Sequence, residues 1–326
     1  MAAEEAYDRV PILRRLVREW PYRTWELLVP HVPKQWLDAV VYLYPTEDDA
    51  RSGRRAGATG FIVNVPLDDS RLPSGHAHHY VVTNAHAIEG QSSLAVRINM
   101  KAGGFDVMTI QAADWITHPD RDDVAAAALP MNPTHRYSAV NRAMMLTQEL
   151  LEHWDFGPGD EVFFIGRYRD HEGKVHNVPT VRSGILSAFP AEPIKQRERD
   201  HDQETVLVEA RSLSGYSGSP VFITHSPYID KASEPGGPPV VRAVTGGPCF
   251  LLGIDWGHLP WAEPVLEPVF DRPVSDRTYV RGNSGMMMVV PATKLLSLLD
   301  VERFADERHE TERRLLEVLA NLGNQA

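Results

Sequence analysis

From Val40 onward the chain is built of short apolar runs cut by turn residues, with little of the three-to-four spacing of a helix. Val40-Val41-Tyr42-Leu43-Tyr44, Gly60-Phe61-Ile62-Val63-Asn64-Val65 and Tyr80-Val81-Val82-Thr83 are β-branched or aromatic, and Val96-Arg97-Ile98 and Phe105 to Ile110 continue the texture. Such runs, separated by turn residues, predict strands. Val124 to Leu129 joins the series although its alanines are poor strand formers. After a linker near Pro130 to Pro158, with a helix predicted over Val140 to His153, a second series runs through Glu161 to Gly166, Val178 to Ile185, Thr205 to Glu209, Pro220 to Ile223, Phe250 to Ile254 and Met287 to Val290. Two groups of about six strands predict a mainly β protein of two six-stranded antiparallel barrels or sandwiches.

The ends have a different rhythm. Leu13, Leu16, Val17, Trp20, Trp25, Leu27 and Leu28 recur at helical spacing between Pro11 and Val40, interrupted by Pro21, Pro30 and Pro33, which predicts short helices. Leu315, Leu316, Leu319 and Leu322 form an apolar stripe behind the charged run Glu302 to Arg314, which predicts a C-terminal helix. The expected organisation is a helical extension over residues 1–37, a first barrel over 38–145, a second over 146–300 and a closing helix over 301–326. Two connections look inserted, the highly charged Pro190 to Gln203 and the Pro/Gly-rich His225 to Gly247, and inserted surface loops often carry specificity or control.

Composition narrows the function classes. With 43% hydrophobic residues in 326 positions, the chain can bury a large core. A formal charge of −11 argues against a general polyanion binder, so nucleic acid is not an expected partner. No apolar run approaches the ~20 residues of a membrane-spanning helix, and the acidic opening Met1 to Val10 does not resemble a secretion signal. Cys249 is the single cysteine, which rules out an intrachain disulfide and agrees with a reducing cytoplasm.

Three segments carry chemistry. A histidine, His86, follows the strand Val81-Val82-Thr83-Asn84-Ala85; an aspartate, Asp123, directly precedes Val124 to Leu129; and Gly215-Tyr216-Ser217-Gly218-Ser219-Pro220 sets a serine between glycines that permit a tight, exposed turn. A base, a group to orient it and an exposed hydroxyl are what acyl transfer requires. The order His, Asp, Ser, and Ser219 where a nucleophile elbow needs glycine, exclude the α/β-hydrolase arrangement. Together these segments resemble the trypsin-like serine proteases, and the serine motif is closest to the bacterial glutamyl endopeptidases. The resemblance covers roughly Val40 to Leu299 and implies a double-barrel endopeptidase acting on polypeptides without metal or cofactor. Its triad would be His86, Asp123 and Ser217, and the amides of Gly215 and Ser217 would form its oxyanion hole. Asp120 and Asp122 compete for the acid's role, and are read as solvated turn residues because only Asp123 abuts the apolar run.

The departures from the family matter as much. Tyr216 stands where digestive members carry an aspartate that pairs with a newly cut N-terminus, so activation by such a cut is not expected. Phe250 to Gly257 resembles the strand that pairs with extended substrate, and Asp255 replaces the histidine that glutamyl endopeptidases set before the Trp-Gly pair. Asp255, with Ser212, Trp256 and Gly257, would favour Lys or Arg before the scissile bond unless Arg211 neutralises it. His76-Ala77-His78-His79 invites a metal, but a solvated loop between two strands is the expected reading. The terminal helices would dock a regulatory partner or mediate self-association. Two rivals are an HtrA-like quality-control protease and a catalytically silent barrel that serves as a binding scaffold.

Overall fold

The computed structural model describes residues 32–323, apart from 55–56, 74, 169–172, 191, 198, 225–227, 231–239, 243–248, 267–274 and 276–277. The helices expected before residue 32 and most of the connection from His225 to Gly247 lie outside the described residues.

The first lobe is one curled sheet of β1 (Val40–Tyr44), β2 (Ala58–Pro66), β3 (Ala77–Thr83), β4 (Ser93–Asn99), β5 (Phe105–Gln111), β6 (Ile116–Thr117), β7 (Ala125–Ala128) and β8 (Val140–Asn141). Its order is β5-β4-β1-β2-β3-β7-β6, with β8 pairing in parallel to β2. It is a half-barrel where a closed six-strand barrel was expected. The second lobe does close, in the order β10-β13-β18-β17-β14-β9. Its staves are β9 (Glu161–Gly166), β10 (Thr180–Ala188), β13 (Val206–Glu209), β14 (Pro220–Thr224), β17 (Cys249–Pro264) and β18 (Tyr279–Pro291). Between staves lie two small hairpins, β11 (Ile194–Gln196) with β12 (His201–Gln203), and β15 (Tyr228–Asp230) with β16 (Val240–Arg242).

Burial explains the strand that propensity disfavours. β7 lies between β3 and β6, and Ala125 and Ala127 face one apolar cluster while Ala126 faces another. Small side chains suit a strand covered on both faces, and tertiary packing overrides the weak intrinsic preference. The helix expected over Val140 to His153 shrinks to Gln148–His153, because Val140-Asn141 is taken by β2 and Thr147 caps the helix by accepting from Leu150 N.

One core cluster spans both lobes, from Tyr42, Phe61 and Val82 to Phe222, Ile254 and Val290. Arg97 is fully buried at this junction. Its guanidinium lies 4.8 Å from the Phe105 ring centre and its Nε donates to Asn177 Oδ1 at 2.6 Å, tying β4 to the loop before β10. The helices in chain order are α1 (Lys34–Leu37), α2 (Glu47–Ser52), α3 (Gln148–His153), α4 (Ala292–Leu299) and α5 (Glu302–Gly323). α4 buries Leu295, Leu298 and Leu299, and α5 buries Phe304 edge-on to Tyr80. No described helix is long and apolar enough to cross a membrane.

The histidine cluster is not a solvated loop. β3 begins at Ala77, so His78 and His79 are strand residues. His78 Nε2 lies 3.0 Å from Glu312 on α5, and His79 packs edge-on to Tyr137 at 5.3 Å. The return of α5 across β3 covers His78, which no local pattern foretells.

Candidate active site

Register brings the first two residues together. β3 and β7 run antiparallel with Thr83 opposite Ala125, so the residues just after β3 and just before β7 emerge at the same end. His86 sits in a single 3-10 turn, Ala85–Ala87, and Asp123 follows a turn in which Arg121 adopts φ 68°. His86 Nδ1 is 2.7 Å from Asp123 Oδ2, and the His86 amide donates to Oδ1 at 2.9 Å. Asn84 Nδ2 donates to the Asp123 carbonyl at 2.9 Å and pins the backbone behind the pair.

The electrostatics of the two groups agree. Burial by itself would push the His86 imidazole down, but the hydrogen bond and charge of Asp123 overcome it and hold His86 above its ordinary value. Burial would push Asp123 up, and its bonds from His86 and Gln196 hold it below the usual carboxylate range. Asp123 is wholly buried and the His86 side chain is 32% exposed, so the ring reaches the surface while its partner does not. A buried carboxylate fixing one ring nitrogen leaves the other to face a reacting group.

The serine turn comes from the second lobe and is seated on the first. Thr59 N donates to Ser217 O at 2.9 Å, Thr59 Oγ1 to Gly215 O at 2.7 Å, and Thr83 Oγ1 to Thr59 O at 2.8 Å. Gly218 has φ +87°, and a Cβ there would lie 2.0 Å from Thr59 O and 2.4 Å from Thr83 Oγ1, so only glycine lets the turn close against β2 and β3. This seat sets half-buried Ser217 beside the end of β3, three residues before His86. Among the described residues, Ser217 Oγ makes no hydrogen bond to His86, an openness common in sites without substrate. Neither the Gly215 nor the Ser217 amide has an acceptor among the described residues, whereas those of Tyr216, Gly218 and Ser219 donate to Leu213 O, Asp255 O and Tyr216 O. Tyr216 is buried, with its ring edge-on to Phe164 and its hydroxyl bonded to Thr180 Oγ1, so the turn is anchored by packing and a hydroxyl bond.

The predicted substrate residues divide. Asp255 is fully buried; its Oδ2 accepts from Ser212 Oγ at 2.7 Å and its Oδ1 from Gly257 N at 3.0 Å, while burial pushes its carboxyl up to about 7. Trp256 is packed into the shared core. Arg211 forms no ion pair with Asp255 among the described residues; it is exposed, and with Arg182, Tyr168, Thr180 and Tyr216 it lines a cavity of about 510 Å³. Asp120 is exposed as expected, but Asp122 is not a solvated turn residue. It is buried, with His118 Nδ1 at 3.1 Å, Lys294 Nζ at 3.3 Å and Gln203 Nε2 at 2.8 Å. His118, Asp120 and Asp122 are the one acidic and imidazole cluster among the described residues tight enough for a metal ion, and the Lys294 ammonium, shared with Glu204, lies against Asp122 there.

Sequence reasoning missed Thr59 and Thr83, which seat the serine turn, and Gln196, Arg199 and Gln203, which reach Asp123 or its backbone. All are polar residues whose partners lie more than 20 positions away, and no spacing rule marks them.

Fold and site define a two-lobed β peptidase domain with a His–Asp pair on one lobe and a glycine-bracketed serine on the other. The chain belongs to the family of trypsin-like peptidase domains, whose sequence pattern matches residues 58–226, just over half of its length and inclusive of His86, Asp123 and Ser217. A peptidase domain implies polypeptide substrates. Among solved structures it is similar to the apo MamO protease domain from Magnetospirillum magneticum, with 18% identity over 81% of this chain and 96% of that one and a TM-score of 0.44. No curated protein sequence matches it.

Proposed function

We propose that the chain is a serine endopeptidase in which Ser217 attacks the peptide carbonyl, His86 takes the hydroxyl proton and returns it to the leaving amine, and Asp123 stays ionised to stabilise the imidazolium. Water then repeats the sequence on the acyl-enzyme. The observation that carries this reading is the 2.7 Å contact between His86 Nδ1 and the wholly buried Asp123 carboxylate. The unengaged amides of Gly215 and Ser217 support their role as donors to the developing oxyanion.

The Asp255–Ser212 contact supports a preference for Lys or Arg before the scissile bond, the negative charge acting through Ser212. An entering cation favours the ionised form of Asp255, whose proton passes to solvent. Leu315, Val318 and Leu319, exposed on α5, support docking of a protein partner or a second copy there, and the lone Cys249 agrees with a cytoplasmic setting.

The test is turnover of a peptide library by the parent chain and by Ser217→Ala. The variant is expected to lose about 10⁴-fold or more in kcat with its thermal unfolding unchanged. Cleavage surviving in a clean Ser217→Ala preparation refutes the nucleophile, and cuts after acidic or large apolar residues refute the basic preference. A parent chain that is folded, inert and unlabelled by fluorophosphonate is a binding scaffold.

A further inference from the structure

The charged insertion between Pro190 and Gln203 folds as the β11–β12 hairpin, paired Ile194 to Gln203 and Gln196 to His201. Strand alternation turns Ile194, Gln196, His201 and Gln203 to one face and Lys195 and Asp202 to the other. The outer pair is solvated, with Lys195 Nζ 3.7 Å from Asp202 Oδ1. The two inner glutamines are buried and both bond to residue 123. Gln196 Nε2 donates to Asp123 Oδ2 at 2.7 Å, and the Asp123 amide donates to Gln203 Oε1 at 2.7 Å. At the tip, Arg199 is only 6% exposed in its side chain. Its Nε bonds Glu89 Oε1 at 2.8 Å, its Nη1 donates to Arg121 O at 2.7 Å, and the same Nη1 lies 3.7 Å from Asp123 Oδ1. Arg121 Nη2 donates back to Arg199 O at 2.7 Å. A segment that interrupts the second lobe thus spends its polar side chains on the carboxylate of the first.

We propose that this hairpin is the positioning element of the His86–Asp123 pair: Gln196 and Arg199 orient the Asp123 carboxylate and draw charge from it, so the site is complete only when the hairpin is docked. The inference deepens the serine-protease reading and rests on it for its catalytic consequence. Asp123 is buried with two oxygens to satisfy. His86 takes one position on each, Gln196 completes Oδ2, and Arg199 faces Oδ1. Without Gln196 the carboxylate keeps its contact with Nδ1 but loses the donor that fixes its plane. Without Gln196 or the Arg199 charge, more negative charge remains to stabilise imidazolium, so the proton affinity of His86 rises. The other charged groups near the pair are Glu89 beside His86, Asp255 on β17, and Asp122 with its partners His118, Lys294 and His201. Arg199→Gln frees the Glu89 carboxylate of its partner, which raises His86 in the same direction, whereas Asp255 and Asp122 keep their contacts in every variant.

The experiment has two arms. In the Ser217→Ala chain, the His86 ring is titrated by NMR with Gln196→Met, which keeps length and loses the donor, with Arg199→Gln, which loses the charge, and with Arg199→Lys, which keeps it. The midpoint is expected to rise by about 0.5 pH unit in the first two and to stay near the parent in the third. In the chain that keeps Ser217, Gln196→Met is expected to lower kcat/KM about tenfold, mainly in kcat, and to move the acid limb of its pH profile upward. Folded Gln196→Met and Arg199→Gln chains with the parental His86 midpoint overturn the proposal. If Gln196→Met does not fold, the Arg199 pair decides by the same criterion. Moving midpoints in a protein without Ser217-dependent turnover would leave the hairpin inference standing and remove the nucleophile instead.

Discussion

Asp123→Asn is the substitution for which the site makes its most quantitative demand. Every close neighbour of the carboxylate is a donor: His86 Nδ1 and Gln196 Nε2 at Oδ2, and the His86 amide at Oδ1, with Arg199 behind. An asparagine amide, turned either way, sets N–H against N–H. With the amide nitrogen at Oδ2, the imidazole must take the other tautomer, in which Nε2 carries the proton and no longer serves as a base. Two charge-assisted bonds at Oδ2, at roughly 1.5–3 kcal/mol each, make the loss about 3–6 kcal/mol in a step that develops imidazolium. At 1.36 kcal/mol per decade, a fall of about 10⁴-fold in kcat corresponds to about 5.5 kcal/mol, within that range. The assay is the rate of serine phosphonylation by a fluorophosphonate, with loss of fluoride, or of acylation by an activated peptide ester, alongside circular dichroism. A folded Asp123→Asn chain that reacts within tenfold of the parent would refute the role of the carboxylate.

Two further perturbations test other parts of the molecule. Glu312 accepts the amides of Asp68 and Asp69 at 3.0 Å each and meets His78. Glu312→Ala strands two amides, and should cost about 3 kcal/mol in chemical denaturation; a cost below about 1 kcal/mol would show that α5 docks by other means. Burial pushes Glu312 up, but His78 and the two amides hold it below the usual range, so its contribution is present above the unfolded carboxylate value and the gap between parent and variant should narrow as pH falls through the acid range. Asp255 has the opposite sign. Its carboxyl is pushed from 3.8 to about 7, so between those values the native chain holds a proton that the unfolded chain has released, and stability falls as pH rises through that window. Asp255→Asn should therefore be the more stable chain at pH ~8, by up to about 4 kcal/mol, should converge with the parent near pH 4, and should lose any preference for Lys or Arg. Parallel stability curves for the two chains would refute the buried-acid account.

What the sequence determined by itself was local. Short contiguous β-branched and aromatic runs declare the strands, since each run and the turn residues that end it are written in adjacent positions. The glycines around Ser217 declare a tight turn, and the triad candidates declare themselves by sitting at strand edges. The tertiary structure decided everything that depends on which strand edge faces which. The register of β3 on β7 joins His86 to Asp123 across 37 positions, the return of α5 buries His78, and the folding back of β11–β12 supplies Gln196 to a carboxylate 73 positions away. It also turned Arg211 away from Asp255 and left the first lobe a half-barrel. Polar partners of this kind leave no periodic trace, because a hydrogen bond needs only the right atoms about 3 Å apart and is indifferent to the length of chain between them.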